Sequence, residues 1–308
     1  MNEYTFLSTN EKDTIHCCEW VPEGKPVAIL QLIHGMAEHI TRYADFAEYL
    51  NKFGILVAGH DHIGHGESSD PSDWGYFGPK SGWITMLYDV EEHRKLLDQK
   101  YPDIPHFILG HSMGSFIARI YLAEFGRDID GAIIMGTANK NGAVGVGSAM
   151  VKTIRKMKGD RYISPMITSL AFGSYLKRIP DHTSPYDWLS RDKKIVEAYD
   201  ADPACGFTFT IAGYDDLFSF LRYMDSSNCY KKTVTDIPVY VVAGEEDPVG
   251  AYGVGPKEYA KKLKELGNER VSLKLYPGMR HEILNEIGKE EVYDDMKDFI
   301  LSNIPSKE

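Results

Sequence analysis

A Gly-x-Ser-x-Gly pentapeptide occupies residues 110–114, where an apolar run ends and a segment with helical spacing begins. The glycines would allow a sharp turn there, so that Ser112 projects its hydroxyl above the end of a strand. A helix starting behind the serine would aim its N-terminal N–H groups at developing negative charge. The pentapeptide alone is a weak signal, because a chain with 28 glycines can contain it by chance.

A nucleophilic serine needs a base within hydrogen-bond reach, and the base needs an orienting carboxylate. Asp247 lies just past the predicted strand at 237–243, and His281 lies just past the predicted strand at 271–276. Each would therefore lie in a loop after a later strand, in the order nucleophile, acid, base. This arrangement predicts acyl transfer through a covalent intermediate on Ser112.

Alternating strand-like and helix-like segments must position these residues. Strands are predicted over 14–22, 26–35, 54–62, 106–112 and 129–138, with helices over 42–53, 82–100 and 113–126. Later in the chain the same alternation predicts strands over 237–249 and 271–282 and helices over 256–266 and 290–301. Strands separated by helices of this length imply right-handed crossovers and a mostly parallel sheet, an α/β fold.

Residues 139–232 interrupt this alternation with helical or irregular segments. We therefore expect an α/β core made of residues 1–138 and 233–308, with residues 139–232 as a largely helical cap. Loops at the strand ends surround the serine, so the insertion would lie over it and control access.

Composition excludes several classes of protein. The net charge of −11 argues against a nucleic-acid partner, since phosphate binding needs a basic surface. The N-terminal segment lacks the basic and apolar regions of a signal peptide, and no apolar run approaches the ~18 residues of a membrane span. Four cysteines have no metal-binding spacing, which favours buried thiols in a reducing compartment. These features predict a soluble, cytoplasmic protein.

Five segments together resemble the α/β-hydrolase superfamily, and within it the monoacylglycerol lipase and lysophospholipase-like group, which overlaps with the serine aminopeptidase class. They are HGMAEH (34–39), DHIGHGES (61–68), GHSMG (110–114), GEEDPV (244–249) and HEILNE (281–286). The resemblance covers almost the whole chain. It implies an α/β-hydrolase fold with the cap inserted after the sixth core strand.

The resemblance also implies roles for individual residues. Ser112 would be the nucleophile, His281 the general base and acid, and Asp247 the orienting residue. The backbone N–H groups of Met36 and Met113 would form the oxyanion hole. Such donors are typically worth about 3 to 4 kcal/mol each in barrier height. No metal or other cofactor is expected.

Rival residues surround these candidates. Glu245 and Glu246 precede Asp247, but the family's acid stands before the proline, and the glutamates are interpreted as solvated loop charges. We expect His34 and His111, which flank the two key turns, to hold loops by hydrogen bonds rather than to transfer protons.

The run HDHIGH, residues 60–65, superficially resembles a metal-binding histidine motif. Gly64 stands where that motif has an aspartate, and the same residues fit the hydrolase family's loop without a metal. Glu38 and Arg42 are four residues apart at a helix start. They would pair near the site entrance or form a plain surface ion pair.

The cap is rich in apolar and aromatic residues, most of which must form its own core. Some would line an acyl tunnel, and the candidates are Met166, Leu170, Phe207, Phe209 and Phe218. A basic stretch also stands out in this acidic chain. It is either a solvated helix face or a docking site for an anionic membrane surface or phospholipid head group, and it contains Lys152, Arg155, Lys156, Lys158 and Arg161.

We therefore expect a carboxylic ester hydrolase whose substrates are small molecules, monoacylglycerols or related single-chain lipid esters. Two alternatives remain. An aminopeptidase would need cap carboxylates to hold the substrate ammonium, and candidates are Asp187, Asp192, Glu197, Asp215 and Asp216. A non-catalytic binding module of the same fold would not need the three candidate catalytic residues.

Overall fold

The computed structural model describes residues 1–138 and 143–305. The described residues contain eight strands: β1 Asn2–Leu7, β2 Thr14–Trp20, β3 Ala28–Ile33, β4 Ile55–His60, β5 His106–His111, β6 Gly131–Met135, β7 Val239–Gly244 and β8 Val271–Tyr276. They also contain ten α-helices: α1 Ala44–Asn51, α2 Gly82–Lys100, α3 Met113–Glu124, α4 Ala143–Lys158, α5 Pro165–Phe172, α6 Lys193–Ala201, α7 Ile211–Met224, α8 Ser227–Lys232, α9 Val254–Glu265 and α10 Lys289–Ser302.

The strands form one sheet in the order β1-β2-β4-β3-β5-β6-β7-β8. The pairs β1–β2 and β2–β4 are antiparallel, and the remaining neighbours are parallel. Helices cover both faces of this sheet. The predicted α/β-hydrolase fold is therefore confirmed, including the mostly parallel sheet.

Side chains that alternate along the central strands divide the core in two. On β5, Ile108 faces one apolar cluster, which includes residues of α2, α3 and α9. Its neighbours Phe107 and Leu109 face the other cluster, which includes residues of α1 and α10. Because both faces of β5 are buried, its residues 107–110, between two histidines, are all apolar or glycine.

The strand β1 was not predicted from the sequence. Its six residues alternate between exposed and half-buried positions, and only Tyr4 and Phe6 face the protein. A period-2 pattern this short and this exposed is a weak signal.

The insertion supplies α4 to α8, and α7 shares one apolar cluster with the core helices. Phe220 and Met224 of α7 pack in the same cluster as Ile117 and Tyr121 of α3. The cap is thus seated directly on the helix that follows Ser112. Its predicted boundaries at 139 and 232 remain a prediction, and residues 139–142 lie outside the described residues.

No helix within residues 1–138 and 143–305 combines the length and the apolar character needed to cross a membrane.

Candidate active site

Ser112 lies on the tight turn between β5 and α3. Its backbone angles are φ 52° and ψ −120°, a region that residues with a side chain rarely occupy. A Cβ atom on Gly114 would lie 2.0 Å from the carbonyl oxygen of Ile33, so only glycine permits this approach of α3 to the end of β3. The glycines of the pentapeptide thus allow the strained turn that presents the serine.

Asp247 and His281 meet through a hydrogen bond. The Nδ1 of His281 lies 2.9 Å from Oδ1 of Asp247, and both side chains are buried. The same oxygen accepts the backbone N–H of Val249 at 2.8 Å, which fixes the carboxylate in its loop. The rival acids Glu245 and Glu246 are exposed. The structure therefore brings Asp247, of the three acidic candidates, to the histidine.

His281 lies next to the turn that carries Ser112. The backbone N–H of Ser112 donates to the carbonyl of Met135, and a Cβ on the next residue, Gly136, would lie 3.1 Å from Cε1 of His281. The ring of His111 is 4.8 Å from that of His281. Among the described residues, the buried Nε2 of His281 has no hydrogen-bond partner. A hydrogen bond from Ser112 is therefore not formed here, a loose arrangement that is common without substrate.

The two candidate oxyanion donors lie in neighbouring segments, the start of α3 and the loop after β3. Met113 is the first residue of α3, a position whose N–H group has no acceptor within the helix. Met36 lies in the loop after β3, and a Cβ on the preceding residue, Gly35, would lie 3.1 Å from Cβ of Ser112. The next residue, Ala37, has a positive φ of 52°, and its carbonyl accepts hydrogen bonds from two cap groups. These are the hydroxyl of Tyr199 at 2.8 Å and the N–H of Gly206 at 2.9 Å.

A buried group of charges connects the loops of the site, and we name it the charged cluster: Glu38, Arg42, His111 and Glu282. Arg42 donates to Oε2 of Glu38 at 2.7 Å and to both oxygens of Glu282 at 2.8 and 2.7 Å. Glu38 Oε1 accepts the N–H of Gly35 at 2.6 Å and lies 3.1 Å from Nδ1 of His111. The Glu38–Arg42 pair is therefore confirmed, and the surface alternative is wrong, because its carboxylate is 3% exposed.

Pairing controls the protonation of this cluster. Burial alone would raise the pKa of Glu38, but the hydrogen bond and charge of His111, with the charge of Arg42, hold that pKa well below its usual range. Burial would lower the pKa of His111, but its bond to Glu38 and the charge of Glu38 raise it above the ordinary value. Arg42 likewise lowers the pKa of the buried Glu282 carboxyl. The cluster is therefore a set of compensating charges beside the candidate catalytic residues, with the His111 ring 4.8 Å from that of His281.

Five buried histidines form a second group, the histidine cluster: His34, His60, His62, His65 and His93. The rings of His34 and His62 are 4.2 Å apart, and the His62 N–H donates to Nε2 of His34 at 3.0 Å. The Nδ1 of His34 lies 2.8 Å from the carbonyl of Gly35. These contacts join the loop after β3 to the loop after β4, as expected for His34.

The five predicted substrate-lining residues of the cap lie in different settings. Phe209 and Phe218 are buried, Phe207 is half-buried, and Met166 and Leu170 are 53% and 55% exposed. The Phe209 ring packs edge-on against Phe77 at 4.7 Å, so it contributes to the joint between cap and core. Met166 and Leu170 lie one turn apart on α5 and face solvent.

Two of the five basic cap residues are tied to acidic groups. Arg155 pairs with Asp160 at 2.7 Å and with Asp215 at 3.0 Å, and Arg161 pairs with Asp73 of the core. The other three, which are Lys152, Lys156 and Lys158, have exposed side chains.

Sequence reasoning missed the cap segment that holds His281. The N–H of Glu282 donates to the carbonyl of Leu189 at 2.8 Å, and the ring of Trp188 lies 5.1 Å from that of His281. Arg280 donates to the carbonyl of Ser190 at 3.0 Å. The sequence carries no local signal for these contacts, because they join positions about 90 residues apart.

Comparisons with known proteins agree with this geometry. A sequence model for the family described as "Serine aminopeptidase, S33" matches residues 24–288. A monoacylglycerol lipase from Mycolicibacterium smegmatis is 30% identical over 294 residues, which cover 92% of each chain. A monoglyceride lipase from Mus musculus is 32% identical over 192 residues, which cover 61% of this chain and 56% of that lipase.

Among solved structures, a highly thermostable carboxyl esterase from Bacillus coagulans, in complex with glycerol, is 33% identical. It matches with a TM-score of 0.93 and covers 99% of both chains. The matched family region contains Ser112, Asp247 and His281 together with the loop of Met36. The chain belongs to the serine aminopeptidase S33 family of α/β-hydrolases.

Proposed function

We propose that the protein hydrolyses monoacylglycerols or related single-chain lipid esters, with Ser112 as nucleophile, His281 as general base and Asp247 as its orienting acid. The relatives support the coarser statement directly: it is an ester-hydrolysing serine hydrolase of the lipase-like type. The observation that supports the residue assignment best is the buried Asp247–His281 hydrogen bond beside the strained turn of Ser112.

In the proposed mechanism, the hydroxyl oxygen of Ser112 attacks the ester carbonyl while Nε2 of His281 removes the hydroxyl proton. The backbone N–H groups of Met36 and Met113 stabilise the negative charge that develops on the carbonyl oxygen. His281 then donates the proton to the leaving alcohol, which gives an acyl-enzyme. Water, deprotonated by His281, attacks the acyl-enzyme and releases the acid. Asp247 stabilises the imidazolium that forms twice in this cycle.

The cap carboxylates make an aminopeptidase less suitable than an esterase. Asp187 accepts the N–H of Thr183 at 2.6 Å, and Asp192 accepts the N–H of Lys194 at 3.0 Å. The other three candidates are Asp215, paired with Arg155, Asp216, bonded to the N–H of Trp83, and Glu197, which is exposed. Four of the five are thus engaged in the structure of the cap rather than available for a substrate ammonium.

The first experiment measures acid release by the purified protein from a medium-to-long-chain monoacylglycerol, with an aminoacyl amide assayed in parallel. Ser112→Ala is expected to abolish glycerolipid turnover. Asp247→Asn is expected to lower kcat by several orders of magnitude, because the wrong tautomer of His281 is then favoured. Its matched control is Glu246→Gln, which should leave the rate unchanged.

Ester hydrolysis that survives Ser112→Ala would disprove the mechanism. Turnover of the amide alone would replace the lipase proposal with an aminopeptidase.

We propose further that the cap contacts anionic lipid surfaces. The support is that Met166 and Leu170 of α5 and Lys156 and Lys158 of α4 are exposed, because a surface that combined such apolar and basic side chains would bind anionic interfaces. Sedimentation with anionic vesicles should be weaker for a Lys156→Gln, Lys158→Gln double variant, whereas binding to neutral vesicles should not change.

We also propose a cytoplasmic location. It is supported by the four cysteines, which are free and buried: Cys17, Cys18, Cys205 and Cys229.

A further inference from the structure

A second group of chemically active side chains lies at the edge of the sheet. Glu3 on β1 stands directly opposite Cys18 on β2, and His16 comes two residues before Cys18. Alternate residues of a strand project from the same face, so His16 and Cys18 point to the same side. A carboxylate oxygen of Glu3, a ring nitrogen of His16 and the sulfur of Cys18 all lie within 4.8 Å of one another.

His16 shows the features of a metal-binding imidazole. The residue is 7% exposed, and within the described part of the chain its buried Nε2 has no hydrogen-bond partner. A buried ring nitrogen without a hydrogen-bond partner is available to bind a ligand. The opposite nitrogen, Nδ1, lies 3.1 Å from Oδ2 of Asp61. A carboxylate in that position fixes the tautomer and orientation of metal-bound histidines.

The groups around His16 and Cys18 carry negative charge. Oε2 of Glu67 lies 3.9 Å from Nε2 of His16, and its side chain is 79% exposed, so it is free to move closer. Three carboxylates, Glu3, Asp61 and Glu67, therefore surround one imidazole and one thiol. Cys18 is fully buried, so its sulfur faces these groups without competition from water. Thiophilic cations accept a sulfur ligand far better than Mg²⁺ or Ca²⁺, which require oxygen ligands.

We propose that Glu3, His16 and Cys18, with Glu67 as a fourth ligand, bind one thiophilic divalent cation of the zinc type. Nitrogen, sulfur and carboxylate oxygen are the ligands that Zn²⁺ takes in tetrahedral sites. The ion would cross-link β1, β2 and the loop that follows β4. In the sheet order, β2 lies three strand spacings from β5, about 14 Å away. The role is therefore structural and separate from Ser112.

A second trio provides an internal comparison. The side chains of His39, Asp202 and Cys205 also place three ligand atoms within 4.8 Å of one another. There, however, Nε2 of His39 is already hydrogen-bonded to Asp202 at 2.8 Å. The positive charge of Arg42 also acts on both Asp202 and Cys205, which disfavours a cation. The first trio is the better site on both counts.

The test is a titration of the full chain, freed of metal by a chelator, with Co²⁺ and then with Zn²⁺. Cobalt bound to a thiolate gives a near-ultraviolet charge-transfer band that carboxylate sites do not give. We expect one ion per chain and a band that Zn²⁺ abolishes by competition. Cys18→Ala should remove the band, and the matched control Cys205→Ala should retain it.

Because Cys18 is buried, Glu3→Gln serves as a second variant that folds normally, its side chain being exposed. It should weaken Zn²⁺ binding about tenfold or more. Zn²⁺ should also raise the Tm of the unaltered chain more than that of Glu3→Gln at equal metal concentration. The proposal is overturned by the absence of a band, by a band lost only in Cys205→Ala, or by full Zn²⁺ affinity in Glu3→Gln.

Discussion

The charged cluster and the histidine cluster are both buried, and each includes a residue of the loop after β3. They differ in charge: the first consists of ionised groups and the second of neutral imidazole rings. In the charged cluster each ionisable group has an oppositely charged neighbour, so Glu38 and Glu282 stay ionised and the pKa of His111 is raised. In the histidine cluster the main effect is burial itself. It lowers the pKa of His34 to about 4 and that of His65 to about 3.

The difference shows what each cluster can do. The charged cluster lies where the loops of the candidate site converge: Glu38 binds the N–H of Gly35, His111 precedes Ser112, and Glu282 follows His281. A buried charge network fixes such loops because every member is costly to leave unpaired. The neutral rings of the histidine cluster instead hold two loops by contacts that need no charge. Perturbing each cluster in turn tests this distinction.

The largest effect is expected from Arg42→Met. It leaves Glu38 and Glu282 as buried carboxylates without their shared cation, which typically costs about 3–5 kcal/mol of unfolding free energy. Urea unfolding followed by circular dichroism measures the loss. The control is Arg127→Met, an exposed position where a change of no more than about 0.5 kcal/mol is expected. Equal losses in both variants would show that the cluster has no special energetic role.

The histidine cluster should make the free energy of unfolding depend on pH. The folded-state pKa of His65, about 3, lies below the unfolded value of about 6.5, so the unfolded chain binds the proton first as the pH falls. Stability from this residue is therefore complete above about pH 6.5 and is lost as the pH falls toward 3. Replacing His65 by Asn should remove about 1.4 kcal/mol per pH unit from the slope of unfolding free energy in that window.

The quantity to compare is the slope of unfolding free energy against pH, measured by urea unfolding between pH 6.5 and 4.5. The absolute free energy is not used, because the substitution also changes packing against Phe77. His182→Asn is the control, since His182 is exposed and folding does not remove it from water. An unchanged slope in His65→Asn would mean that the ring is protonated in the folded state, contrary to the proposed neutral cluster.

Features that depend on local sequence pattern could be predicted from the sequence alone. The helix predicted over 82–100 matches α2, because its buried positions recur with helical spacing over 19 residues. Ser112, Asp247 and His281 could be proposed from the sequence because each follows a strand and they come in a fixed order. Local pattern and strand order therefore sufficed for the fold and the candidate catalytic residues.

The charged cluster could not be predicted in the same way. Its central contact joins Arg42 to Glu282, which are 240 residues apart, and no spacing rule connects them. From sequence, Glu38 and Arg42 resembled an ordinary i, i+4 pair. Burial of that pair depends on the positions of the loop that carries Glu282 and of the cap residue Tyr199, which only the assembled fold determines.

A smaller effect is expected where the cap touches the oxyanion loop. Tyr199→Phe keeps the ring that lies 4.8 Å from the Arg42 guanidinium but removes the hydroxyl that donates to the Ala37 carbonyl. We expect a loss of about 1 kcal/mol in unfolding free energy and a lower kcat on a short soluble ester with little change in KM. Tyr186→Phe is the matched control, because the Tyr186 hydroxyl donates to the Gly206 carbonyl within the cap. It should cost a similar free energy and leave kcat unchanged.

The smallest effect is expected for an ion pair outside both clusters. Arg161 of the cap pairs with Asp73 of the core, and the two side chains are 56% and 44% exposed. Water and salt screen such a pair, so Arg161→Gln should change unfolding free energy by less than about 0.5 kcal/mol. Thermal unfolding at low and high salt measures it, and a loss near that of Arg42→Met would contradict the argument. Both substitutions remove one arginine from an acidic chain, so a difference between them isolates burial as the reason that the charged cluster stabilises the site.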